Sequence, residues 1–315
     1  MGMQRFRVAE DSMRPILAPG DEFVVTDSRP PLIGEIVVFP HPERDDFWMV
    51  KRIAEPSIPL ADGLAWVLSD NGAATLADSR SLGPVELSGM KPMIDRLDQD
   101  LFLEGVELLC EEEPAFAQVV GAHGVPRFWR RPPGFDTLTL FILEQQVSLE
   151  SGAAVYRRVE ETAGVVEPEA ILAVGPEGLA SAGTTRQKAG YILSLAEKIV
   201  TGRLDLAELE EANVEDARRK LLTLSGVGPW TADVYLLSAL GHIDIFPIGD
   251  RALQVGTAET LGMSIPDPEQ LEIVSQPWRP LRAVAARLIW HAYLSRRGRV
   301  EPPHTVTERG RAPGA

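Results

Sequence analysis

Cysteine is almost missing from this chain of 315 residues, in which Cys110 is the only one. One thiol cannot form a disulfide within the chain, and it cannot replace the cysteine set that holds an iron–sulfur cluster. No apolar run reaches the length of a membrane span, and the N-terminal MGMQRFRVAEDSM lacks the apolar segment of a signal peptide. These absences predict a cytoplasmic protein with no membrane partner. The residue pattern indicates no cofactor and no catalytic metal.

Basic residues are also scarce, because 31 lysines and arginines face 46 aspartates and glutamates, for a net charge of −15. A protein that coats nucleic acid through bulk charge is therefore not favoured. Any contact with DNA must be local, from the amides of a helix N-terminus and a few cations. The candidate cations are Arg127, Arg130, Arg131, Arg186 and Lys188.

The pattern of apolar residues changes once along the chain. Up to about residue 90, short apolar runs (EFVV, GEIVVF, FWMVKRI, AWVLSDN) are broken by proline and glycine, which is typical of β-strands. From about residue 98, apolar residues recur at helical spacing. The pattern predicts a multidomain protein, with a small, mostly-β domain over 1–92 and an all-α domain over 98–300. A disordered tail is expected over 301–315.

The stretch LSGVGPW places two glycines and a proline between two helix-forming segments. Asn213 is a suitable N-cap for a helix that continues through Leu222. Gly226 and Gly228 both permit positive φ, and Pro229 suits the first turn of the next helix. The outward-facing amides of such a hairpin could bind a phosphate. A glycine C-cap between two packed core helices explains these residues equally well.

An acidic residue, Asp250, follows 22 residues after Gly228, at the start of another predicted helix. It could be an ordinary N-cap, or a carboxylate held near a reacting sugar carbon. Upstream, the run from Phe141 to Ser148 reads as an amphipathic helix that ends in two amides and a hydroxyl.

Five segments in order, QQVS, GTTRQKAGYI, LSGVGPWTA, FPIGD and PWRPLRAVAARLIW, resemble the helix-hairpin-helix DNA glycosylase superfamily, in particular its 3-methyladenine DNA glycosylase II type. The resemblance covers roughly residues 100 to 298. It implies hydrolysis of the N-glycosidic bond of alkylated purines in double-stranded DNA, for base excision repair. Relatives that also cut the strand have a lysine where this chain has Trp230, so the resemblance implies a monofunctional enzyme.

The resemblance also implies a set of site residues. Asp250 is expected to be catalytic, and Trp230 and Trp290 are expected to line the base pocket. Two departures bear on substrate breadth, because Glu144 stands where many relatives have glycine and Val234 stands where some have tyrosine. The expected DNA-binding residues are Gly226, Val227, Gly228, Thr231, Gln145, Gln146 and Ser148.

A different class of function stays open for the helical half, namely a module that recognises distorted DNA without chemistry. Asp250 discriminates between the two, because a binding module has no need of a carboxylate close to negatively charged phosphates.

In the β half, Ser12 lies in a predicted turn, and Lys51 follows 39 residues later in a strand-like run. A lysine can take the proton of a serine hydroxyl if burial disfavours its charged form. For an arbitrary serine and lysine, a turn cap and a solvated side chain are the more frequent roles.

The order DSMRP…PGD, VKRI, SDN…ADSRSLGPV resembles the signal-peptidase family of serine peptidases, and its short members that mature nickel superoxide dismutase. The resemblance covers about residues 5 to 88. It implies a nucleophile at Ser12, a general base at Lys51 and a leader-bearing protein as substrate. A leader-trimming endopeptidase is therefore an alternative main activity. The residues implied to support that site are Ser69, Asp70, Asp78, Ser79 and Arg80.

Overall fold

The computed structural model describes residues 2–56, 58–75 and 77–299. The chain divides into two compact units, Met1–Glu113 with Trp278–Leu281 and Pro114–Pro277 with Arg282–Ala315. The predicted tail over 301–315 lies outside the described residues. Within the described part of the chain, no helix is both long enough and apolar enough to span a membrane.

The first unit is built on one antiparallel sheet, whose strands are β1 (Gln4–Arg7), β2 (Glu22–Val25), β3 (Ile36–Pro40), β4 (Trp48–Ala54), β5 (Leu64–Leu68), β6 (Val85–Glu86) and β7 (Lys91–Ile94). Their order across the sheet is β1-β2-β7-β3-β4-β5-β6. The four strands predicted from EFVV, GEIVVF, FWMVKRI and AWVLSDN are confirmed as β2 to β5. Two helices accompany the sheet, α1 (Ser79–Leu82) and α2 (Gln99–Glu112).

The β3 strand has an unbroken apolar run because both of its faces are buried. Val37 packs in one hydrophobic cluster, whereas Ile36 and Val38 pack in another, as expected when successive side chains point to opposite faces. The β4 strand alternates instead, and its buried row is Met49, Lys51 and Ile53. A lysine therefore occupies a position that the strand pattern reserves for apolar side chains.

The first unit extends further along the chain than residue 92, where the sequence placed its end. Strand β7 lies in the middle of the sheet, between β2 and β3. Helix α2 is attached to the sheet by a Thr26 Oγ1 to Glu104 Oε2 hydrogen bond of 2.9 Å and an Arg5–Glu112 ion pair of 2.6 Å. The boundary therefore lies after Glu113, because long-range pairing holds these elements to the sheet.

The second unit is helical. Its helix α10 (Pro229–Ser238) is buried without interruption from Thr231 to Ser238, although Asp233 within it is charged, so it lies in the core of the unit. The helices are α3 (Pro114–His123), α4 (Phe135–Glu144), α5 (Leu149–Ala163), α6 (Pro168–Ser181), α7 (Arg186–Val200), α8 (Glu208–Glu211), α9 (Val214–Leu222), α10 (Pro229–Ser238), α11 (Arg251–Leu261), α12 (Pro268–Ser275) and α13 (Arg282–Ser295).

Helix starts follow the sequence signals closely, but one predicted helix is shorter than expected. Asn213 caps α9 through a bond from Asp216 N, and α10 begins at Pro229, as predicted. The helix expected to run to Ser148 ends at Glu144 instead. Gln146 adopts a φ of 59°, and Ser148 becomes the N-cap of α5. The polar end of that segment is thus a turn between two helices.

Helices α11 and α13 approach closely at Gly256. A Cβ on Gly256 would lie 2.7 Å from Ile289 Cγ2 and 3.2 Å from Ile289 O. Because Asp250 is the N-cap of α11 and α13 contains Trp290, this contact affects the spacing of two candidate site residues.

We expect Gly256→Ala to reduce the free energy of unfolding by about 1–2 kcal/mol, because overpacking outweighs the gain in helix propensity. Urea unfolding measures the change. The matched control is Gly190→Ala in α7, where no atom lies within 4 Å of the added Cβ. That exposed substitution should stabilise the protein by about 0.5–1 kcal/mol. Equal effects of the two substitutions would contradict the close packing of α11 against α13.

Candidate active sites

The hairpin between α9 and α10 uses its two glycines differently. Gly226 has a φ of 84°, and a Cβ there would lie 2.4 Å from the Tyr191 ring. Gly228 has a φ of −89° and is the N-cap of α10. Both glycines permit positive φ, but only Gly226 adopts it, whereas Gly228 lies in a region open to any residue.

Several polar groups of the hairpin form hydrogen bonds within the protein. Val227 N donates to Leu224 O at 3.0 Å, so this amide is not free to bind a phosphate. Gln145 Nε2 donates to Gly226 O at 2.7 Å and to Thr231 Oγ1 at 2.8 Å. We call this pair of bonds the Gln145 strap. Because Thr231 is only 1% exposed, its side chain supports the strap and faces away from solvent.

The turn after α4 presents its next residues outward. Gln146 and Ser148 are exposed, and Ser148 Oγ accepts from Ser151 N at 3.2 Å. Lys188, a candidate for contact with DNA, instead donates from Nζ to Leu143 O at 2.7 Å and to Gln145 O at 2.8 Å. It satisfies carbonyls at the C-terminal end of α4, where a cation is favourable.

Asp250 lies where three segments meet. Its Oδ1 accepts from Leu253 N at 2.9 Å, which makes it the predicted N-cap of α11. The same oxygen accepts from Trp290 Nε1 at 3.2 Å, and Oδ2 accepts from Trp230 Nε1 at 2.8 Å. The structure therefore brings together the predicted carboxylate and both predicted indoles. All three side chains are half-buried, so the group remains open to a ligand.

A third tryptophan, Trp129, lies beside Trp290, and no sequence pattern indicated it as a site residue. The ring centroid of Trp129 lies 6.2 Å from that of Trp290, and the Arg287 guanidinium lies 5.1 Å from the Trp129 ring. Arg287 is fully buried, so it contacts the Trp129 ring from the interior of the unit. Trp129 precedes α4 in an irregular segment, where no periodic pattern marks a site residue.

The second candidate site lies in the β unit. Ser12, in a short 3₁₀ turn, and Lys51, in β4, are 6% and 4% exposed. Lys51 Nζ donates to Ser12 Oγ at 3.1 Å. Burial lowers the pKa of Lys51, and the charges of Asp78 and Glu10 oppose that shift. The pair thus has the contact and the desolvation that a serine–lysine dyad requires.

The Asp78 carboxylate joins several residues near this pair by hydrogen bonds. Its carboxylate accepts from Ser69 N at 3.0 Å and from Arg80 Nη2 at 2.6 Å. Burial opposes ionisation, yet these bonds hold the pKa of Asp78 well below its usual range. Ser79 Oγ accepts from Val67 N at 2.9 Å, which ties α1 to β5.

Two neighbouring residues fix the serine turn and the strand. Asp70 forms an ion pair with Arg52 at 2.6 Å, next to Lys51. Asn71, the last residue of the SDN motif, donates from N to Ser12 O at 2.9 Å and from Nδ2 to Asp11 O at 3.1 Å. Asn71 therefore fixes the carbonyl groups of Asp11 and Ser12, which lie on either side of the Ser12 side chain.

Comparison with known proteins places the helical unit among DNA repair proteins. Residues 140–280 match the family model of the HhH-GPD superfamily base excision DNA repair proteins. A DNA-3-methyladenine glycosidase of known structure from Bacillus halodurans is 31% identical, with a TM-score of 0.53, over 62% of this chain and 91% of that protein.

Two further relatives extend the comparison. A DNA-3-methyladenine glycosylase of Bacillus subtilis is 28% identical over 50% of this chain, and the match spans 57% of that protein's length, less than two thirds. The structure of a Schizosaccharomyces pombe 3-methyladenine DNA glycosylase with abasic DNA shares the fold, with 22% identity and a TM-score of 0.56, over 59% of this chain and 94% of that one.

We expect Gly226→Ala to lower the free energy of unfolding by about 2 kcal/mol or more, because it imposes positive φ on alanine and a clash with Tyr191. Gly228→Ala is the matched control, since its φ is ordinary and no atom lies within 4 Å of the added Cβ. Its cost should stay below about 1 kcal/mol. Denaturant unfolding of both variants measures the difference, and equal losses would show that the hairpin geometry is misassigned.

Proposed function

Because the helical part of this chain belongs to the HhH-GPD superfamily of base excision DNA repair proteins, we propose that it is a DNA glycosylase that releases alkylated purines of the 3-methyladenine kind from double-stranded DNA. The observation that carries the proposal is the Asp250 carboxylate held between two indoles at a helix N-terminus. The Bacillus subtilis and Bacillus halodurans relatives are named as a DNA-3-methyladenine glycosylase and a DNA-3-methyladenine glycosidase, which supports this substrate class.

The substrate base must leave the duplex before its bond can be cut. Extrusion of a base costs a few kcal/mol, and the cost is lowest for damaged pairs. N-alkylation makes a purine cationic, so stacking on an indole face adds cation–π attraction. Trp230 and Trp290 supply such faces, and their N–H edges are turned to Asp250. The base would therefore stack beside the carboxylate.

Asp250 would then act on the sugar. Departure of the base leaves positive charge on the sugar carbon, which a nearby carboxylate stabilises, and the same carboxylate can orient the attacking water. Three N–H donors fix the carboxylate in advance, so little reorganisation accompanies the reaction. On the backbone side, we propose that Gly226 and Gly228 amides, with Gln146 and Ser148, hold the phosphates near the lesion.

The proposed enzyme is monofunctional. Strand-cutting relatives use a lysine amine to form a Schiff base with the sugar, and in this chain the corresponding position holds Trp230. Its indole donates to Asp250, so the residue supports hydrolysis by water.

Asp250→Asn should reduce the release of 3-methyladenine from alkylated duplex DNA by about 100-fold or more, because the charge that stabilises the sugar cation is lost. Binding to the same duplex should persist or tighten, since one negative charge near phosphates is removed. Base release is measured by chromatography, and binding by fluorescence anisotropy. Borohydride should trap no covalent enzyme–DNA adduct in the same reactions.

The matched control is Asp267→Asn, because Asp267 caps α12 as Asp250 caps α11 and asparagine is an equally good N-cap. This control should release the base at the wild-type rate. If Asp250→Asn releases the base at the wild-type rate, Asp250 serves only as the N-cap of α11. Lesion binding without any release by the wild type would favour the non-catalytic module, and a trapped adduct would overturn the monofunctional assignment.

A second function is favoured by the buried contact between Ser12 and Lys51. We propose that the β unit is a serine endopeptidase that trims a leader-bearing protein. Neutral Lys51 would take the hydroxyl proton while Ser12 Oγ attacks the peptide carbonyl, and the protonated amine would then supply that proton to the leaving amine as the C–N bond breaks. A water molecule that gives its proton to Lys51 would then hydrolyse the acyl ester and regenerate Ser12. Asn71 and Asp78, with Ser69, Asp70, Ser79 and Arg80, would keep this geometry.

Peptide cleavage should increase with pH, because the neutral fraction of Lys51 rises as pH approaches its lowered pKa. Ser12→Ala, Lys51→Ala and Lys51→Arg should each abolish cleavage, and the last does so because a guanidinium stays protonated. Mass spectrometry of a peptide library incubated with the full chain measures the products. Lys91→Ala, in β7 of the same sheet, is the control and should cleave normally. Cleavage that survives in Ser12→Ala, or none by the wild type at any pH, would contradict the proposal.

A further inference from the structure

Glu144 is a buried acid that neither proposed reaction uses. It is the last residue of α4, is 6% exposed, and directly precedes Gln145. Its side chain packs against Gly152 of α5, where a Cβ would lie 2.6 Å from Glu144 Cγ. The glycine thus leaves space for the acid, and the two residues fit one another across the α4–α5 contact.

The surroundings of Glu144 leave its charge poorly compensated. Arg131 attracts it electrostatically, yet no hydrogen bond or ion pair joins their side chains among the described residues. Arg131 Nε and Nη1 are themselves buried and lack hydrogen-bond partners in the described part of the chain. The other titratable groups around this pair are Asp136 of α4, Tyr156 of α5 and Lys188 of α7.

Burial raises the pKa of Glu144 to about 7, although Arg131 opposes the shift. The buried position therefore suits the neutral acid. Ionisation in this position is unfavourable, and the side chain can relieve that cost by moving out of the contact with Gly152.

Such a movement would displace the proposed DNA-binding turn, because one peptide bond joins Glu144 to Gln145. Gln145 forms the strap to Gly226 and Thr231, and exposed Gln146 follows it. A negative charge at this place also repels phosphates. Both effects have the same sign, since the neutral acid favours the ordered turn and DNA binding.

We propose that Glu144 is a positioning residue whose neutral form holds the Gln145–Gln146 turn for DNA, and whose ionisation loosens the turn and weakens binding. This inference rests on the proposed DNA function of the helical unit. It gives the chain a response to pH near neutrality that a glycine before Gln145 could not provide.

Glu144→Gln tests it, because the amide has the shape of the neutral acid and does not ionise. Wild-type affinity for a duplex with one abasic-site analogue, measured by anisotropy at constant salt, should fall about tenfold between about pH 6 and about pH 8. Glu144→Gln should keep the pH 6 wild-type affinity throughout. Glu161→Gln removes an exposed charge from α5 and should follow the wild type.

Thermal unfolding across the same pH range provides a test that needs no DNA. A raised pKa in the folded state means that wild-type stability falls as pH rises from the ordinary glutamate pKa to about 7. The Tm of Glu144→Gln should therefore rise relative to the wild type over that range and keep its advantage at higher pH. A parallel pH dependence of affinity in wild type and Glu144→Gln would overturn the positioning role. Failure of the wild type to bind DNA at any pH would instead overturn the proposed DNA function, and the Tm comparison would still decide whether Glu144 ionises as proposed.

Discussion

The Asp250 carboxylate accepts hydrogen bonds from a backbone amide and from the two indoles of Trp230 and Trp290, and this convergence connects α10, α11 and α13. The helix spacing has to be close for these bonds to form, and Gly256 permits that spacing. The carboxylate is therefore a structural junction as well as the candidate reactive group. Substitutions around it affect packing and chemistry together, so matched controls such as another N-cap are needed to separate them.

Two buried positions carry an ionisable side chain where the surrounding pattern calls for an apolar one. Lys51 occupies the buried row of β4, and its contact with Ser12 depends on desolvation. Glu144 occupies a buried end of α4 against a glycine. Such positions reduce stability, and they also shift ionisation toward neutral pH, where a proton can be exchanged. Perturbed groups of this kind are frequent at functional sites.

A second constraint acts around the hairpin, because hydrogen-bond donors that could bind DNA phosphates are also needed for the fold. Val227 N and the Gln145 amide are used within the protein, and Lys188 satisfies the end of α4. Fewer donors are therefore left for the phosphate contacts proposed above, and a chain of net charge −15 cannot replace them by bulk attraction. Binding through these contacts depends on geometry more than on charge number.

Local sequence signals determined much of this protein: the four predicted β-strands, the start of α9 at its Asn213 cap, the start of α10 at Pro229 and the capping position of Asp250. These features depend on neighbours within a few residues, so composition and spacing reveal them. Tertiary structure alone decided that α4 ends at Glu144, that Thr231 and Lys188 face inward, and that Trp129 stands beside Trp290. Each of these depends on groups far apart in the chain, whose contacts and burial no local pattern encodes.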